Sequence, residues 1–290
     1  MATVGELLDR AEWHLTGGLR AERNRLAAPL STSDGEVELE FPVRSLAVGE
    51  VLEVGRELMY VWRADPDLPQ PVAEVERGFR GSPVESHFEA ATVRRNPRAP
   101  RHVLWDSMLR ELRELSGTGL LGFEATTKAL SGDESVVTLE PEGNHAVLGV
   151  YDVRPVSGKE ARIGWRVIRK PDPDEHGSGA VVRVWGAEGK SVRIIYTRGF
   201  SEFTSESDDV QAVCGVPDYA EEVLEVGAAR RVPPGVMGEL LQRDTARGPR
   251  DAQEMQAGGF FRQQVDGLYR RAVSDALAAQ AAAFPPGKAP

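Results

Sequence analysis

Three glycines, Gly117, Gly119 and Gly122, spell G-x-G-x-x-G, the pattern that cradles a dinucleotide pyrophosphate. That chemistry needs a strand before the glycines and a helix after them, because the helix N-terminus must face the phosphates. Here the order is reversed: the apolar stripe Leu104, Met108, Leu112 and Leu115 predicts a helix in front, and a strand is expected behind. The run therefore reads as a helix-to-strand joint, with no cofactor. The histidines, His14, His87, His102, His145 and His176, lie far apart and form no H-x-x-x-H pair, so no metal site is expected. Cys214 is the single cysteine, which excludes an intrachain disulfide and reads as a small buried thiol. Glycosidases work with two carboxylates, and Asp208-Asp209 and Glu221-Glu222 offer pairs. Both sit in a run of eight acids and no base between Ser201 and Glu225, read as a charged linker entering a helix, where acids favour the positive end of the dipole. Tyr151, Trp165 and Trp185 suit either a sugar-stacking face or a sandwich core, and core packing is preferred. No catalytic residue is assigned, and the chain is not expected to be an enzyme.

The elements that would position these residues begin with Thr3 and Glu6 at capping-box spacing, ahead of the stripe Val4, Leu7, Leu8, Ala11 and Leu15. From Glu36 the period becomes two: Val37, Leu39 and Phe41 alternate with three glutamates until Pro42. Further strands are expected at 51–54, 57–62, 72–76 and 92–94, then at 135–139, 145–153, 161–168, 180–185 and 191–197. Helices follow from Pro217, with a short one carrying Val236, Met237, Leu240 and Leu241, and a long one carrying Phe261, Val265, Leu268, Tyr269, Ala272 and Ala276.

The expected class is α+β, a helical body with two β parts. Residues 1–35 hold the N-terminal helix, 36–98 a small inserted β-barrel or meander, 99–118 the central helix, 119–203 an antiparallel β-sandwich, 204–284 the C-terminal helices, and 285–290 an extended tail. Hydrophobic residues make up 41% of the 290, enough for a substantial core, and the longest apolar runs are far too short to cross a bilayer. The net charge of −10 disfavours gripping DNA phosphates. A reducing, cytoplasmic site of synthesis is expected.

Gly55 to Trp62, then Val75 to Ser82, then His87 and Ala91 to Val93 resemble a hairpin module recurrent in structural proteins of tailed phages. That module reads G-x-x-x-x-x-V, then V-x-R-G-x-x-G-T, a histidine and a closing valine strand. Gly78 and Gly81 would permit positive φ in a tight turn, and His87 would be structural. The chain departs from the pattern at Ser82, where threonine is usual, and at Ala90 or Ala91, where glycine is usual.

With its order of elements, the chain resembles the head-to-tail adaptor (connector, or head-completion) proteins of long-tailed phages. The resemblance implies a virion neck protein made in the host cytoplasm, a dodecameric ring of self-contacts, with the portal protein on one face and a stopper or tail-completion protein on the other. Double-stranded DNA would pass through without sequence-specific binding, past a lumen lined by acids, with the 201–225 run as their source. No membrane partner is implied. The C-terminal residues Leu277, Phe284, Pro285 and Pro286 would dock on the portal. Two alternatives stand beside this: a carbohydrate- or host-surface-binding tail component, and another neck ring such as a stopper or terminator.

Overall fold

The computed structural model describes residues 2–17, 21–42, 46–65, 70–118, 121–130, 134–139, 147–156, 163–168, 180–186, 189–233 and 251–284, apart from the side chains of 134 and 251–262. The expected helical body is not there. The chain is mostly β, with twelve antiparallel strands among the described residues and four helices longer than one turn: α1 (Val4–Thr16), α2 (Arg101–Thr118), α3 (Glu221–Arg231) and α4 (Asp251–Ala283). The chain forms two compact units, 1–7 with 109–224 and 270–290, and 8–108 with 225–269, so every one of the four helices contributes to both and neither unit is helical. The stripes themselves are buried, including Val4, Leu7, Leu8 and Ala11 of α1 and Leu104, Met108, Leu112 and Leu115 of α2. A buried stripe shows that a face is covered, not that another helix covers it. The short helix expected at 236–241 lies outside the described residues.

In the unit containing residues 8–108, six strands form one curled sheet. They are β1 (Glu22–Arg25), β2 (Glu36–Glu38), β3 (Val51–Val54), β4 (Glu57–Asp65), β5 (Val72–Glu76) and β6 (Thr92–Arg95), in the order β1-β6-β3-β4-β5-β2. One face buries Leu26, Val37, Leu39, Leu52, Val54, Met59, Val61, Val75 and Val93 in a single cluster. The two edges meet just past the strands: Leu26 bridges Leu39, the Ala27 N–H donates to the Glu38 carbonyl at 2.9 Å, and the Glu40 N–H to the Arg25 carbonyl at 2.8 Å. The buried Asn24 completes the seam, donating to the Phe41 carbonyl at 2.9 Å and accepting from the Phe41 N–H at 3.1 Å. Edge groups that would otherwise template another strand are thereby satisfied.

The other unit holds two three-stranded antiparallel sheets. One is ordered β7 (Phe123–Ala129), β12 (Ser191–Arg198), β9 (Val147–Pro155); the other is β10 (Gly164–Ile168), β11 (Ala180–Trp185), β8 (Glu134–Leu139). Val137, Leu139, Val153, Val182, Val184, Val192, Ile194 and Tyr196 share one core, so the sheets face each other. The acidic run after Ser201 is not a linker. Asp208 accepts from the Thr204 and Ser205 N–H groups at 2.8 and 2.9 Å, and Asp209 caps a π-helical turn, Val210–Cys214, by accepting from the Ala212 N–H at 2.8 Å. The Val4 N–H in turn donates to the Asp208 carbonyl at 2.9 Å. The expected capping box is formed, with the Thr3 N–H donating to Glu6 at 3.0 Å and the Glu6 N–H to the Thr3 hydroxyl at 3.2 Å.

Candidate functional site

Arg77, Gly78 and His87 converge on one buried carboxylate, that of Glu57. Gly55, at φ +58°, closes the β3–β4 hairpin and starts β4 at Glu57, whose side chain is 0% exposed. Glu57 accepts from Arg77 Nε at 2.6 Å and from its terminal nitrogen at 2.7 Å, and lies 2.8 Å from His87 Nε2. The Gly78 and Glu85 N–H groups add bonds of 3.3 and 3.2 Å. Burial raises the Glu57 pKa, but the hydrogen bonds from Arg77, His87 and the Glu85 backbone, with the Arg77 charge, outweigh it and bring the carboxyl down to about 2. Arg77 also donates to the carbonyls of Ser31 (2.6 Å), Asp34 (3.0 Å) and Glu85 (2.6 Å), so the guanidinium is fully engaged.

Around this node the turn is fixed. Gly78 has φ +65°, and a Cβ there would stand 2.9 Å from Val84 Cγ2; Gly81 has φ +77° with open space beside it. His87 is 7% exposed, and its backbone exchanges both hydrogen bonds with Leu30, at 2.8 and 2.9 Å. At the two departures from the pattern, Ser82 bonds the Leu58 N–H at 2.8 Å through its hydroxyl, and Ala90 adopts φ +62°, where a glycine would be relaxed. Gly78 and His87 are brought together on Glu57; Gly81 shapes the turn without touching it. Glu57 was missed as the anchor, and Arg77, a letter of the motif, was given no role; Glu57 follows Arg56 and Arg77 follows Glu76 beyond the end of β5, so no apolar context marked the pair in the sequence.

A second buried cluster lies in the same unit. Glu53 pairs with Arg94, which also pairs with Glu12, and the Arg101 N–H donates to Glu53. Burial, the largest influence, pushes the Glu53 carboxyl up to about 7 against the pull of Arg94. Arg95 is held by Glu50 at 2.6 Å and Glu22 at 2.7 Å. Such clusters fix strand register; among the described residues they leave no group of three ligands able to hold a metal ion.

The other sequence candidates are placed as follows. Gly122 precedes β7, and a Cβ on it would lie 2.1 Å from the Arg198 carbonyl oxygen, so close approach of β12 rather than a phosphate demands this glycine. Cys214 is buried, and its thiol is pushed up to about 12 by desolvation and then by Asp208 and Asp209. His14 lies 3.2 Å from Glu225, while His145 and His176 fall outside the described residues. Trp165 packs against the sandwich core; Trp185 is exposed and lies across Gly164, on a different sheet from Tyr151. The aromatics thus share no single stacking face. Leu277 is exposed on α4, and Phe284 rests 6.0 Å from the Phe123 ring, with Arg193 5.9 Å above it; Pro285 and Pro286 lie outside the described residues.

On the outer side of the β7-β12-β9 sheet, Thr127, Arg154, Pro155, Val156, Arg193 and Ile195 line a hollow of about 430 Å³. Register puts Arg193 directly opposite Arg154 on one side and Thr127 on the other. Scans of this sequence against family models and against curated proteins return no match.

Proposed function

We propose that this chain is a non-catalytic assembly component of a tailed-phage virion, a head-to-tail adaptor that works as a ring of copies between the portal protein and a stopper or tail-completion protein. The observation that carries this reading is Phe88. It is 85% exposed, yet it immediately follows His87, which is anchored by Glu57 and by two backbone bonds to Leu30. A large apolar ring carried to solvent on an anchored backbone is suited to serve as an anchor in a contact. Trp13, Phe41 and Trp62 of the same unit are likewise exposed. The buried ionisable side chains of the module, Glu57, Arg77 and His87, are engaged with one another in holding its turn, which supports a structural role for that module.

The acid-lined lumen narrows on this reading. Asp208 and Asp209 act as caps and Glu202 pairs with Arg113 at 2.6 Å, which leaves Asp218 and Glu222 as the exposed acids best suited to repel DNA phosphate. The test is electron microscopy and mass measurement of the purified chain, alone and with portal. Closed rings in either condition support the reading; a monomer that neither closes nor binds portal overturns it.

A further inference from the structure

We propose that two like-charged cross-strand pairs, Arg154 with Arg193 and Glu36 with Glu74, are the two halves of one contact between successive copies of this chain. The arginine pair of one copy receives the glutamate pair of the next. This deepens the ring reading above and rests on it.

Register sets both pairs. Arg193 on β12 stands directly opposite Arg154 on β9, and Glu36 on β2 directly opposite Glu74 on β5. Directly opposed side chains are the nearest neighbours on a sheet face, and like charges there are unfavourable. In each pair one member is compensated within the chain: Arg154 by Asp152, and Glu74 by Arg63 at 3.2 Å. The other member is not. Arg193 is exposed against the Phe284 ring, and Glu36 is exposed; among the described residues neither has an ion-pair partner. Each sheet therefore presents one uncompensated charge beside a compensated one of the same sign, basic on one sheet and acidic on the other.

Charge balance selects a second copy as the occupant. Each copy carries −10, so copies repel on average, and a contact between them must set a basic spot against acids. Joining two different surfaces is a heterologous contact, the kind that closes into rings by rotation. The hollow beside the arginines supplies an apolar complement through Pro155, Val156 and Ile195. Trp62, 58% exposed at the β4–β5 register shift next to Glu74, is the side chain of a size to enter it.

The experiment is sedimentation of the full chain in the condition, alone or with portal, in which the wild type assembles. Arg193→Glu and Glu36→Arg are each expected to raise the concentration for half-assembly by about tenfold or more, and the double variant to return most of that loss. Unchanged thermal unfolding verifies that the variants fold. Single variants that assemble like the wild type overturn the proposal, as does a double variant no better than the singles, the result expected if the arginines meet DNA phosphate or another protein. A wild type that assembles in neither condition overturns the ring reading, and the contact with it.

Discussion

The curled sheet and the sandwich bury similar valine- and leucine-rich faces but are specified in different ways. In the curled sheet, polar side chains set the geometry: Asn24 closes the edges, Glu57 gathers the turn, and Glu53 and Arg94 lock neighbouring strands. The sandwich relies on alternation, with Val182, Val184, Val192 and Ile194 inward and Arg193 outward. A buried ion node admits one arrangement and fails badly when halved, whereas an apolar core tolerates small changes in volume.

The sharpest break of this comparison is Glu57→Gln, which leaves the Arg77 guanidinium buried without its counter-charge. It is expected to cost about 3–5 kcal/mol in urea denaturation, whereas Ile194→Val in the sandwich should cost only about 1 kcal/mol. Equal losses would erase the distinction. The same node sets an acid limb. Because the folded pKa of Glu57, about 2, lies below its ordinary 4.5, its stabilisation is complete above pH 4.5 and lost as pH falls towards 2. Glu53, raised to about 7, acts oppositely: its ionisation costs the fold stability as pH rises from 4.5 to 7. Stability curves of the wild type and Glu57→Gln should therefore converge below pH 4.5.

Two smaller effects sharpen the contrast. Gly122→Ala, which drives a methyl into the Arg198 carbonyl, should cost about 1–3 kcal/mol. Ala90→Gly should instead stabilise by about 0.5–1 kcal/mol, the relief of a left-handed alanine less the extra freedom of glycine in the unfolded chain. A loss at Ala90 would mean that its methyl packs usefully.

Strand positions were legible where short valine-rich runs are bounded by turn residues, as at Val51–Val54, Val72–Glu76 and Ala180–Trp185. Strand β1 was not, because Glu-Arg-Asn-Arg buries only Asn24 and shows no apolar period. The fold class was misjudged because helical stripes reveal burial without revealing the partner. Within the site, Arg77, Gly78, Gly81 and His87 could be read from the motif, but their anchor Glu57 required the chain to be folded: it is twenty residues from Arg77 and meets it only across the sheet. The Arg154–Arg193 and Glu36–Glu74 pairs were invisible for the same reason, since register is a tertiary property.

The central claim, that exposed aromatic side chains on an anchored backbone serve a shared surface, is tested most directly by native mass spectrometry of the wild type and Phe88→Ser with portal. The account predicts a multi-copy ring for the wild type, and a Phe88→Ser chain that unfolds at the same temperature but fails to assemble. A Phe88→Ser chain that assembles as well as the wild type would contradict it.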